Sequence, residues 1–178
     1  MSNFQDLALI PDVKTRLKEL EFDELFPIQE KTISPILKGR DVIGQAKTGT
    51  GKTAAYAIPI IEKLRKKNGV QALIIIPTRE LAQQVVNQFR DIAKYTPFRF
   101  LAIFGGEPIE RQIREIPKAD MVMGTPGRLI DHLNRGTLHL NETEILVIDE
   151  ADRMLDMGFI DDVRFIINHL PKNRQTCM

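Results

Sequence analysis

The sequence predicts a doubly wound α/β fold on a mainly parallel sheet, with a helical extension ahead of it. Short runs rich in Ile and Val alternate with amphipathic stretches, the pattern of a sheet buried on both faces and joined by crossover helices. A glycine-rich loop directly follows one such run, and a pair of acids directly follows another.

Taken in chain order, residues 1–38 are helical in pattern and are expected to pack beside the sheet as an extension of a domain spanning 39–178. One helix is expected to start near Pro27, where proline suits the first turn, and to stop at Gly39, where glycine suits the residue past the end. Strands are expected at Asp41–Gln45, Ala72–Ile76, Arg99–Phe104, Met121–Met123 and Ile145–Ile148. Further helices should run from Lys52, Glu80, Pro126 and Phe159. The charged turn Arg65 to Gly69 reads as a solvated helix end.

The chain has 178 residues, within the range of one domain, and is 43% hydrophobic, enough for a core. Its 25 Lys and Arg balance 24 Asp and Glu, a net charge of +1, so there is no bulk basic field and any nucleic-acid contact must be local. The single cysteine, Cys177, rules out an internal disulfide or a thiolate metal cluster and fits a reducing compartment. No basic and apolar leader opens the sequence, and the densest apolar run, Ala72 to Ile76, falls far short of the ~18 residues of a membrane span. A soluble, cytoplasmic protein with no membrane partner is the expectation.

The loop Ala46-Lys47-Thr48-Gly49-Thr50-Gly51-Lys52-Thr53 lies between a predicted strand and an apolar helix, the context in which such a loop cradles phosphates. Its glycines let successive N–H groups and the helix N-terminus face one anion. Lys52 would neutralise the β and γ phosphates, and Thr53 would offer a hydroxyl to magnesium, which takes few protein ligands. Ala46 stands at the first glycine of the general pattern. The alternative is a glycine-rich turn that only caps a helix.

At the far end of the last apolar run, Asp149 fits an outer magnesium ligand, and Glu150 fits a general base that orients and deprotonates the water attacking the γ phosphate. Asp149, Glu150 and Asp152 could also cap the following helix, and the two roles are compatible.

The run Asp149-Glu150-Ala151-Asp152, taken with Ala46 to Thr53, resembles the DEAD-box RNA helicases. Pro77 to Leu81, Gly105-Gly106 and Thr125 to Arg128 look like that family's RNA-contact motifs, in family order, and Arg153 to Phe159 is similar too. The resemblance covers nearly the whole chain. It implies a RecA-like P-loop domain that binds ATP and Mg2+, with Lys52, Asp149 and Glu150 catalytic and Asp152 coupling to a second RecA-like domain.

It also implies that Phe22 stacks on the adenine and that Gln29 reads its edge, with Phe4 at the family's isolated upstream aromatic. Two departures stand out: Leu25-Phe26 where the family usually has Pro-Thr, and Glu21 where it usually has Gly. Phe22 and Phe26 could instead be core residues, a reading that suits Phe26 better. The resemblance gives RNA contacts to Thr78, Arg79, Gly106, Thr125 and Arg128. Each segment is expected at a strand end where a helix begins, so the contacts go to the sugar-phosphate backbone and bind RNA without regard to sequence.

The sequence stops at Met178, where the family's Ser-Ala-Thr motif would be expected shortly afterwards, and the second RecA-like domain with its arginine fingers is not in it. A fragment is therefore expected, one that binds nucleotide weakly and hydrolyses it slowly if at all. Gln175 to Met178 would begin a strand lying between the phosphate-loop strand and the strand ending at Asp149, and a longer chain is expected to be more stable. An RNA helicase and a nucleotide-dependent RNA clamp both fit, whereas a small-molecule kinase lacks a visible lid or acceptor site.

Overall fold

A computed structural model describes residues 3–47 and 49–178. The first helix, α1 (Pro11–Glu19), ends in a reverse turn in which Phe22 N–H donates to Leu17 C=O and Glu21 N–H to Lys18 C=O. That closure needs a left-handed residue, and Glu21 supplies it with φ +56. The turn is thus kept, and the glutamate side chain strains it. Helix α2 (Pro27–Leu37) follows and packs along α3 (Lys52–Lys63).

The sheet contains β1 (Ala72–Ile75), β2 (Phe100–Ile103), β3 (Met121–Gly124), β4 (Ile145–Ile148) and β5 (Gln175–Cys177), in the order β2-β3-β1-β4-β5. Every ladder is parallel. The crossovers are α4 (Arg79–Ile92), α5 (Ile109–Glu115), α6 (Pro126–Asn134), α7 (Ala151–Asp156) and α8 (Ile160–Asn168). Four of the predicted strands are present: β1 and β2 are trimmed at their ends, β3 runs one residue further to Gly124, and β4 has the expected bounds. Helix α4 begins one residue earlier than expected, at Arg79, and α8 one residue later, at Ile160.

Asp41–Gln45 does not form a named strand. Val42 N–H donates to Thr176 C=O, Met178 N–H to Val42 C=O, and Gly44 N–H to Met178 C=O, so the segment runs parallel to β5 but gains one bridge pair, Val42 with Cys177. A strand needs a run of paired residues, and this segment has one such pair. β5 thus lies between β4 and this segment.

Strand alternation divides the core between two faces. Ala72, Ile74, Met121, Met123, Ile145 and Val147 face α1 to α4, while Leu73, Ile75, Val122, Leu146 and Ile148 face α6 to α8. Helix α3 lies between the sheet and its neighbours and is buried without a break from Ala54 to Ile61, which accounts for its lack of a polar stripe.

Candidate nucleotide site

The acidic pair and the segments at Thr78, Gly106 and Thr125 leave the carboxyl edge of the sheet, the edge where open parallel sheets hold ligands. The phosphate loop turns into α3 through Gly49 (φ +83) and Gly51 (φ +81), and no side chain caps the helix. Its first N–H groups therefore face the hollow without a side-chain acceptor, and the helix dipole favours an anion there. Thr50 Oγ1 donates to Lys47 C=O at 2.6 Å and closes the turn. Thr48 lies outside the described residues.

Lys52 Nζ stands 3.9 Å from Glu150 Oε1, with both side chains about a quarter exposed at 28% and 22%. Gly49, Gly51, Lys52, Thr53, Asp149 and Glu150 line one hollow of about 320 Å³. A second, of about 510 Å³, touches Ala46, Lys47, Lys52, Glu150 and Asp152 on the other side of the lysine. The loop and the acidic pair, far apart in sequence, thus share one site.

Glu150 sits at the N-cap of α7 in the left-handed region, φ +53 and ψ +47, and its carboxylate makes no capping bond. Such a backbone costs on the order of 1–3 kcal/mol for a residue with a side chain. The strain turns the carboxylate toward Lys52 rather than along the helix. Asp149 does the local work instead, accepting from Glu150 N–H at 3.0 Å through Oδ1. Asp152 is exposed and accepts from Arg153 N–H at 2.9 Å.

Asp149 is also held by a residue that sequence reasoning missed. Tyr56 O–H donates to Asp149 Oδ2 at 2.8 Å from inside the core. Burial, above all, holds the Asp149 carboxyl above its ordinary range, with the Glu150 charge adding to the rise and the Tyr56 bond and Lys52 opposing it. Burial likewise raises the Tyr56 hydroxyl well above the usual phenol, so it remains a donor. The available signal was spacing: Tyr56 is one helical turn beyond Lys52 and shares its face.

The donor set fits a hard cation. Among the described residues no group of three or more His, Cys, Asp or Glu could hold a metal alone. A magnesium ion that keeps most of its waters needs only a carboxylate and a hydroxyl, and Asp149 and Thr53 line the same hollow.

Beside the phosphate loop, Gln29 is 1% exposed, its Oε1 accepting from Phe26 N–H at 2.8 Å and its Nε2 donating to Gly51 C=O at 3.1 Å. It fastens α2 to the phosphate loop, and one N–H and one lone pair remain for another partner. Phe22 is half-buried and meets the fully buried Phe4 edge to face, centroids 5.4 Å apart. Phe26, expected in the core, is 53% exposed beside Gly51. It occupies the N-cap of α2, where the chain turns out of the core.

The remaining motif residues also gather on this edge. Thr78 caps α4 by accepting from Leu81 N–H at 3.3 Å, and Arg79 is exposed. Gly106 has φ +88 and is crowded by Arg79, whose Nη1 would lie 2.8 Å from an added Cβ. Thr125 holds the N-cap position of α6 but its hydroxyl makes no capping bond. Arg128 points inward, toward Glu107 and Gln112, with 14% of its side chain exposed.

The model of the DEAD/DEAH box helicase family matches residues 26–178. The chain belongs to that family. It is 52% identical over its whole length to the DEAD-box ATP-dependent RNA helicase CshA of Geobacillus kaustophilus and 50% identical to the ATP-dependent RNA helicase CshA of Listeria monocytogenes. It spans only 38% and 35% of those relatives. The DEAD box protein of the hyperthermophile Methanococcus jannaschii superposes with a TM-score of 0.95 at 40% identity, over 98% of this chain and 48% of that one. A hypothetical ATP-dependent RNA helicase from Sulfolobus tokodaii gives 0.86 at 42% identity, over 93% and 48%. These superpositions and the five-stranded parallel sheet make this a RecA-like DEAD-box fold.

Proposed function

We propose that the chain is the ATP- and Mg2+-binding domain of an ATP-dependent RNA helicase that unwinds or remodels short RNA duplexes or RNA–protein complexes. The observation that carries this reading is the meeting of Lys52 and Thr53 with Asp149 and Glu150 around one hollow. Ala46 to Thr53 wrap the phosphates with backbone N–H groups, and Lys52 neutralises the β and γ phosphates. Mg2+, when bound, offsets charge that develops on the transferring phosphoryl group. Thr53 and Asp149, which line the same hollow, would hold it. Glu150 orients the attacking water and takes its proton.

Phe22 and Gln29 serve the adenine, Gln29 with its remaining N–H and lone pair. Since Gln29 is 1% exposed, the neighbouring chain must move to admit the base. RNA lies along the carboxyl edge, its backbone held by Thr78, Arg79, Gly106 and Thr125, with Arg128 supporting them and Asp152 linking nucleotide state to a second RecA-like domain. The neutral chain grips phosphates with turn amides and a few cations instead of a basic face. No described helix is long and apolar enough to cross a membrane, and the lone Cys177 fits the reducing cytoplasm.

Displacement of a fluorescent ADP tests the nucleotide reading: ATP should compete and GTP should not, and equal competition would overturn the adenine assignment. In a protein carrying the relatives' full length, duplex release should require ATP and fail with a non-hydrolysable analogue. Release that is equally fast with the analogue would favour an RNA clamp.

A further inference from the structure

The pair Gly105-Gly106 forms an exposed turn with no side chain of its own to hold it, and glycine leaves such a turn wide conformational freedom. Its two flanks are nevertheless pinned by two linked side chains. Gln112, on α5 and 2% exposed, donates from Nε2 to Phe104 C=O at 3.1 Å. Its Oε1 accepts from Arg128 Nη1 at 2.9 Å, and Arg128 in turn donates to Glu107 C=O from Nη1 at 3.2 Å and Nη2 at 3.3 Å. Phe104 and Glu107 bracket the glycine pair. The turn is thus fastened on one flank by Gln112 and on the other by Arg128.

The same amide reaches into α6. His132, fully buried, places Nε2 at 3.1 Å from Gln112 Oε1 and Nδ1 at 2.8 Å from Thr137 Oγ1. An amide oxygen can only accept, so Nε2 carries the hydrogen and Nδ1 accepts from the Thr137 hydroxyl. Gln112 therefore couples the glycine turn to the helix whose first turn follows Thr125. Backbone N–H groups bind an anion well only when they are held in place beforehand, because ordering them on binding costs free energy. Three of the guanidinium's N–H contacts are spent inside the protein, and Asp131 lies 4.0 Å from Nε.

Building on the RNA reading above, we propose that Gln112 is a positioning residue for RNA. It locks the Gly105-Gly106 turn to α6 as one phosphate-gripping unit, and Arg128 acts through this lock and not by touching phosphate.

The test is binding of single-stranded oligouridylate to this chain, followed by fluorescence anisotropy across a salt series, together with amide hydrogen exchange. Losing a phosphate contact, as in Arg79→Ala, should reduce the slope of log affinity against log salt by about 0.7. Gln112→Met should weaken binding about tenfold at every salt concentration with the slope unchanged, the effect of lost buried hydrogen bonds without lost charge. Exchange at Gly105 to Glu107 should quicken by at least about tenfold, while Leu146 and Val147 in the core hold their protection. Arg128→Lys, a single-point donor that cannot serve Glu107 and Gln112 together, should follow the same pattern and reads the lock even if Gln112→Met does not fold. Wild-type affinity and exchange in both variants overturns the proposal, as does a fall in salt slope for Arg128→Lys. Absence of RNA binding by the unaltered chain instead overturns the RNA reading itself, and the positioning role with it.

Discussion

The Tyr56 hydroxyl donates to Asp149 Oδ2 across 2.8 Å, joining the interior of α3 to the end of β4. With Glu150 N–H on Oδ1, both oxygens of the buried carboxylate are engaged and its direction is fixed. Tyr56→Phe keeps the ring and deletes only the bond. It should lower stability by about 1 kcal/mol, the usual worth of one hydrogen bond, or roughly 2–4 °C in Tm for a chain of this size. Thermal unfolding checks this, and an unchanged Tm would show that water replaces the hydroxyl at no cost.

Asp149 carries a stability penalty with a definite sign in pH. Burial, the largest cause, raises its folded-state pKa, so the folded chain binds the proton more tightly than the unfolded one. Stability from this group is complete below the ordinary carboxylate range, about pH 4, and is lost as pH rises through the raised value. Asp149→Asn removes that loss. Unfolding curves of the nucleotide-free variant should show a Tm at or above the parent's at pH 7, the gap closing in acid, while magnesium no longer strengthens nucleotide binding. A Tm well below the parent's at pH 7 would contradict this account.

Glu21→Gly should stabilise the chain. The left-handed turn after α1 is closed by two backbone bonds regardless of the side chain, and glycine adopts φ +56 without strain. Relief of about 1 kcal/mol or more is partly offset by the greater entropy of an unfolded glycine, leaving a net gain of roughly 0.5–1 kcal/mol. Chemical denaturation should give a higher midpoint at the same slope.

Cys177 should be inert in the native chain. Burial and then the Asp41 charge push its thiol to about 11, so almost no thiolate exists at neutral pH. Its alkylation by a soluble thiol reagent at pH 8 should be slow and track unfolding, with denaturant making it prompt. Rapid labelling without denaturant would mean that β5 opens locally.

Much of this was readable from residues alone, and the exceptions have physical causes. Runs such as Ala72 to Ile76 and Ile145 to Ile148 announce strands because both faces of the sheet are covered. The segment at Asp41–Gln45 carries only Val42 and Ile43 as apolar side chains and pairs at one bridge, Val42 with Cys177. Helix α5 escaped notice because its seven residues are too few for a clear period. Within the site, glycine and acid spacing revealed the phosphate loop and the acidic pair. Tyr56 was hidden because one hydroxyl in an apolar helix reads as core, and Phe26 misled because a large aromatic usually is core. Gln112 carried no motif at all, and its role depends on contacts that no local spacing encodes.

The central claim is that Lys52 and the surrounding amides hold a triphosphate opposite Asp149. Calorimetric titration of the chain and of Lys52→Ala with Mg·ATP tests it most directly. The parent should bind, and the variant should lose at least about tenfold in affinity, since a charge-assisted contact to phosphate contributes about 1.5–3 kcal/mol. Equal affinity in the two proteins would contradict it.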